Sequence, residues 1–177
     1  MYRRRRGYNS FKRASKKVRY SNETSCVAID SGYTGMGTMP IIDNKVGAIL
    51  VAATDLQGTR KCKNFTLSLT SQGNTVPLIC ALIYCPGGLQ PNNLGAPNPD
   101  ARAGVSLYEP NQNVIMQFVM NPVLDTNAGS DVQVFRTRLA RNLDSGDYIA
   151  LIFTPARAPS AQETVHIRGT LNYAISY

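Results

Sequence analysis

The sequence predicts an all-β fold: a single eight-stranded antiparallel jelly-roll sandwich behind a disordered, basic N-terminal arm. Three observations predict it. Apolar residues behind the start of the chain recur with period 2 or in short runs, and no stretch shows a capped stripe of period 3.6. Positive charge is gathered almost entirely before the first of those strands.

The arm comes first and is assigned to residues 1–24. Arg3, Arg4, Arg5, Arg6, Lys12, Arg13, Lys16, Lys17 and Arg19 are nine cations, and no acid precedes Glu23. Nine like charges repel, and few apolar groups are present to offset the entropy of ordering, so this segment is expected to be disordered in the free protein. Residues 21–177 of the 177-residue chain hold the other ten of 19 basic residues and all 11 acids. The net charge of +8 is therefore a property of the arm, and the body, residues 25–177, is close to neutral.

Within the body, Cys26–Ile29 reads as a weak strand, followed by a flexible connector at Gly32, Gly35, Gly37 and Pro40. Phe65, Leu67 and Leu69 alternate with Asn64, Thr66, Ser68 and Thr70, which predicts a strand with one dry face. Near the C-terminus Val165, Ile167, Leu171, Tyr173 and Ile175 alternate with polar residues in the same way. Val46–Ala53, Pro77–Cys85, Val114–Met120, Val132–Leu139 and Tyr148–Phe153 are more continuously apolar and read as strands packed on both faces. Ser145-Gly146 between Asp144 and Asp147 reads as the turn of a hairpin. An Ig-like sandwich fits less well, because the chain has no tryptophan and exceeds about 100 residues. The connection across residues 85–112 contains Pro86, Pro91, Pro97, Pro99 and Pro110, and its length marks it as a contact loop between subunits or a mobile surface loop.

No apolar run approaches the 18 residues of a membrane span, and the basic start lacks the apolar stretch of a signal peptide, so no membrane insertion is expected. On that reading the glycosylation patterns at Asn22 and Asn64 are chance matches. Cys26, Cys62, Cys80 and Cys85 form no C-x-x-C pair and are expected to be free thiols. Catalysis and cofactors are not expected. His166 is the sole histidine and lies on the polar side of a predicted strand, and no nucleotide-binding or nucleophile motif appears.

What remains is nucleic-acid chemistry. The arginine fork offers paired donors to phosphate and stays charged at any relevant pH. Tyr2, Tyr8, Phe11 and Tyr20 are interleaved with the charges. Such rings stack on unpaired bases, worth about 1–3 kcal/mol each, which favours a single-stranded ligand; incidental rings in a tail are the alternative. A twenty-residue arm reaches at most about 70 Å. Arg3–Arg6 and Lys12–Lys17 also suit recognition by nuclear import receptors. Arg60, Lys61 and Lys63 form a second basic cluster, with Lys61 and Lys63 on the face of Phe65 if alternation is strict. They are read as phosphate contacts or as solvated strand-end charges, and Arg136, Arg138 and Arg141 admit the same two readings.

Five segments carry a family resemblance. They are Leu56-Gln57-Gly58-Thr59-Arg60-Lys61-Cys62-Lys63-Asn64-Phe65-Thr66-Leu67, Ile83-Tyr84-Cys85-Pro86-Gly87-Gly88, Pro91-Asn92-Asn93-Leu94, Leu107–Ile115 and Arg138–Asp147. In this order, over residues 46–155, they resemble capsid proteins of circular, Rep-encoding single-stranded DNA viruses of the circovirus-like kind. The resemblance implies a single jelly roll, a small icosahedral shell of sixty identical copies, and circular single-stranded DNA packaged in the host nucleus before release in the virion. The body is short for the animal circoviruses. A satellite RNA virus coat protein, or a soluble nucleic-acid-binding module with a basic extension, is the alternative from composition alone.

Overall fold

The computed structural model describes residues 18–34, 41–42, 48–88, 113–123, 129–156 and 163–176. The expectations for Arg3–Lys17, and for residues 89–112 of the long connection, lie outside the described residues.

All regular structure among the described residues is β. The strands are β1 (Ser21–Thr34), β2 (Ile41–Ile42), β3 (Ala48–Val51), β4 (Arg60–Gln72), β5 (Leu78–Cys85), β6 (Val114–Met120), β7 (Gln133–Leu143), β8 (Tyr148–Pro155) and β9 (Glu163–Ser176). Eight long strands make two antiparallel sheets of four, ordered β1-β9-β4-β7 and β3-β8-β5-β6, with the two-residue β2 added beside β1.

Two boundaries differ from the sequence reading. The arm was expected to run to residue 24, but Ser21–Thr24 pair with Ile175–Asn172 and belong to β1. The supposed weak strand at Cys26–Ile29 is the middle of a 14-residue element that also takes up Gly32, at the start of the expected connector. Its signal is weak because Val27 and Ile29 are its buried aliphatic residues. Its length comes from thirteen pairings with β9, a non-local cause that no window of β1 displays.

The sheets face each other across one core. Val27 and Ile29, Leu67 and Leu69, and Ile167 and Leu171 of the larger sheet meet Leu78, Leu82, Ile149 and Leu151 of the smaller one. Each fully buried aliphatic chain contributes about 1.5–3 kcal/mol. The Phe118 and Phe135 rings stack at 3.9 Å between centroids, joining β6 to β7. Alternation in β4 and β9 follows the predicted phase, with Phe65, Leu67, Leu69, Val165, Ile167 and Leu171 all buried.

Burial on both faces holds for β5 and β8. Their other side forms a second cluster of Ala81, Ile83, Cys85, Ala150 and Ile152. It does not hold for β6 or β7, where Val119 and Val134 are about half exposed. The four cysteines are free, Cys26 exposed and the others buried. Burial pushes the thiols of Cys62 and Cys85 up to about 11, so neither is a nucleophile near neutral pH.

Candidate nucleic-acid interface

Strand alternation places one set of residues from β1, β9, β4 and β7 on the outer face of the larger sheet. Its middle is short and polar: Thr24, Thr170, Asn172, Thr66, Ser68 and Thr70. Its cations are Lys61 and Lys63 on β4, Arg136 and Arg138 on β7, and Arg168 on β9. Asp30 is the one acid among the described strand residues on this face. It is already neutralised. Arg168 Nη2 lies 2.6 Å and His166 Nδ1 lies 2.5 Å from the same Asp30 oxygen. The His166 bond first, and then the Arg168 guanidinium, hold the Asp30 carboxyl below the usual carboxylate range. His166 is thus a hydrogen-bond partner of Asp30 on the outer face.

Ahead of Phe65 the phase of β4 departs from the sequence reading. Lys61 and Lys63 do not share the face of Phe65. Register slips between Lys63 and Phe65 against β7, and between Lys63 and Thr66 against β9, with Asn64 at φ +57°. Asparagine is among the residues that tolerate this left-handed conformation, and here it inserts a bulge. Cys62 and Phe65 both point inward on either side of it, which turns Lys61 and Lys63 outward. Beside the bulge, Asn64, Phe65, Thr66, Arg136, Thr137 and Arg138 line an open notch of about 460 Å³. Lys63 also holds its ammonium 3.6 Å from the centroid of the Tyr20 ring, so the last residue before β1 lies against this outer face. Arg19 next to it is exposed.

Two arginines that the sequence grouped with these cations turn away. Arg60 is only 6% exposed, and its guanidinium donates to the carbonyls of Ala52 (3.0 Å) and Asp147 (3.1 Å). It is a structural clamp and not a surface cation. Arg141 is half-buried and reaches the Val114 carbonyl at 3.4 Å, bridging β7 to β6. Short-range spacing could not separate these from Lys61 and Arg138, because the difference is made by the opposite sheet.

Arg60 belongs to a polar knot at one end of the sandwich. The Asp147 carboxylate accepts from the Tyr84 hydroxyl (2.6 Å), the Gly87 N–H (2.9 Å) and the Asp144 N–H (2.9 Å). Burial alone would raise its pKa, but those three donors and nearby Arg60 outweigh burial and lower it. Burial first, and then the Asp147 partner, push the Tyr84 hydroxyl up to about 12. The Asp144–Asp147 turn forms as expected, with Asp147 N–H donating to the Asp144 carbonyl at 3.1 Å. It does not close a hairpin, since it carries the chain from β7 in one sheet to β8 in the other. The carboxylate is consumed in fastening that crossing to the start of the long connection at Gly87.

No family model matches the chain, and no curated protein matches it. Among solved structures, the chain is similar to one described as the infectious bursal disease virus Gt strain, with a TM-score of 0.41 and 11% identity. That likeness covers 90% of this chain and 33% of the other, so this chain spans about a third of its length. It is also similar to the Eiger TNF of S. frugiperda, with a TM-score of 0.39, 7% identity, and coverage of 84% and 92% respectively. Likenesses this distant carry over nothing about what the chain does.

Proposed function

We propose that this chain is a viral coat protein: a jelly-roll subunit that assembles into a small icosahedral shell of sixty copies and packages circular single-stranded DNA. The observation that carries this reading is the separation of charge along the chain. Nine cations precede the first strand, while the sandwich that follows holds ten basic and 11 acidic residues. A near-neutral body can pack against copies of itself without self-repulsion, while a cationic arm takes up polyanion of any sequence.

Strand order supports the fold part of the reading. With β2 set aside, the first long strand lies beside the last, and each sheet alternates early and late strands. Two interlocked Greek keys produce that order, as in the jelly roll used by capsid domains. On this reading Arg3, Arg4, Arg5, Arg6, Lys12, Arg13, Lys16, Lys17 and Arg19 bind packaged DNA, and the two arm clusters engage import receptors for assembly in the host nucleus. The subunit performs no chemical step.

Electron microscopy and light scattering on the purified protein with circular single-stranded DNA test this directly. A discrete megadalton particle with nuclease-protected DNA is expected. A chain that stays monomeric at high concentration with DNA present would overturn the reading. Alanine at Arg3–Arg6 is expected to flatten the dependence of log K on log salt by about 0.7 per lost contact, or about 3 in all. An unchanged slope would mean that these four side chains do not touch phosphate.

A further inference from the structure

We propose that the β4–β7 margin of the larger sheet is a second phosphate track for single-stranded nucleic acid, separate from the arm and built by Lys61, Lys63, Arg138 and Arg136. The inference rests on the reading above in taking nucleic acid as the cargo. It adds which face of the subunit meets that cargo and which side chains do so.

The four cations form a file. Lys61 lies opposite Asn142 and Lys63 opposite Ala140, and the next two outward positions on β7 are Arg138 and Arg136. From the level of Asn142 to Arg136 is six residues of strand, about 20 Å, with one cation about every 7 Å. That step is of the kind a stretched single strand can match with successive phosphates. The bulge at Asn64 makes the file possible. Without the added residue Lys61 and Lys63 would keep the phase of Phe65 and turn inward.

No ion pair among the described residues engages Lys61, Lys63, Arg136 or Arg138, and the face's one described acid, Asp30, is held by Arg168 and His166. Within the near-neutral body, the described strand residues of this face therefore set Lys61, Lys63, Arg136, Arg138 and Arg168 against the single acid Asp30. Next to the file the surface stays low, with Thr66, Ser68 and Ala140, so a backbone can approach the sheet closely. The notch places Arg136 and Arg138 around one open recess, where each cation can meet one of two successive phosphates. Nothing in the file offers an ordered set of groups to read base edges, so its grip is independent of sequence. Tyr20 docks against Lys63, which brings the end of the arm onto the same face. Arm and track consequently serve one strand from one side, and the larger sheet turns toward the genome.

The test uses the full chain and a single-stranded oligonucleotide, titrated across a salt series. Replacing Arg136 and Arg138 together with alanine is expected to reduce the salt slope by about 1.4, at about 0.7 per contact, with an unchanged circular dichroism spectrum. The Arg136→Lys/Arg138→Lys variant is expected to restore the slope, since charge alone suffices on such a track. Lys61 and Lys63 are expected to be protected from an amine-reactive reagent when the oligonucleotide is bound. A slope unchanged by alanine, with Lys61 and Lys63 still fully reactive in the complex, would overturn the track and leave the coat-protein reading standing on the arm alone. A wild-type chain that binds no single strand would remove the underlying reading as well.

Discussion

Alanine at Asp147 is expected to lower the melting temperature by about 10 °C. The carboxylate accepts three hydrogen bonds, from Tyr84, Gly87 and Asp144, and the residue is 6% exposed. A hydrogen bond to a charged group contributes about 1.5–3 kcal/mol, and removing the acceptor leaves partly buried donors unsatisfied. All three bonds are only part-buried, so the loss falls below the sum for three such bonds, at about 3–4 kcal/mol. For a chain of this size each kcal/mol moves the midpoint by about 2–4 °C. The knot also predicts a pH dependence. The folded pKa of Asp147 lies below its unfolded value, so the folded state releases this proton more readily. Its contribution is complete above the unfolded pKa of about 3.9 and fades as pH falls through the lower folded value. The gap in urea midpoint between wild type and Asp147→Ala should therefore be widest near pH 6 and narrow below pH 4. A gap of constant width would mean that the carboxylate charge contributes nothing to the fastening.

Alanine at Gly169 is expected to cost about 3 kcal/mol or more, a second large effect with a different cause. Gly169 lies in β9 with Val27 on one side and Leu69 on the other. A methyl built there falls inside van der Waals contact of the Ser68 carbonyl oxygen and 3.0 Å from Leu69 Cα. Both atoms are backbone in the neighbouring strand, so no rotamer change relieves the overlap, and β4 must move off β9. Those two strands share a ladder running from Lys61↔Ser176 to Gln72↔His166. Thermal unfolding of Gly169→Ala beside Gly129→Ala provides the comparison. The nearest atom to a methyl at Gly129 is 3.9 Å away, an ordinary contact, and a change within about 0.5 kcal/mol is expected there. Equal melting temperatures for the two variants would contradict the close approach at Gly169.

Legibility of the fold varied with how local its cause is. The phases of β4 from Phe65 onward and of β9 were readable because Phe65, Leu67 and Leu69, and Val165, Ile167 and Leu171, fall on alternate positions, a property that one strand displays by itself. The length of β1 was not readable, because Asn22, Thr24 and Ser25 become strand only through their partners in β9. The interface divides in the same way. Lys61, Lys63, Arg136 and Arg138 could be named from the chain as exposed basic candidates. Arg60 and Arg141 could not be told from them until the smaller sheet supplied the carbonyls that hold them. Asn64-Phe65-Thr66 holds the one hint of the bulge, an asparagine inside a strand, and asparagine in a strand has several readings.

Composition and period 2 alone determined that this protein is β throughout its described body and that its positive charge is gathered ahead of the first strand, since both depend on neighbouring residues only. The order of the eight long strands, the turn of Lys61 and Lys63 to the outer face, and the withdrawal of Arg60 were decided in three dimensions. Each depends on which distant strand lies alongside and how its backbone is offset, and hydrogen bonding between strands sets both only once the sheets have formed.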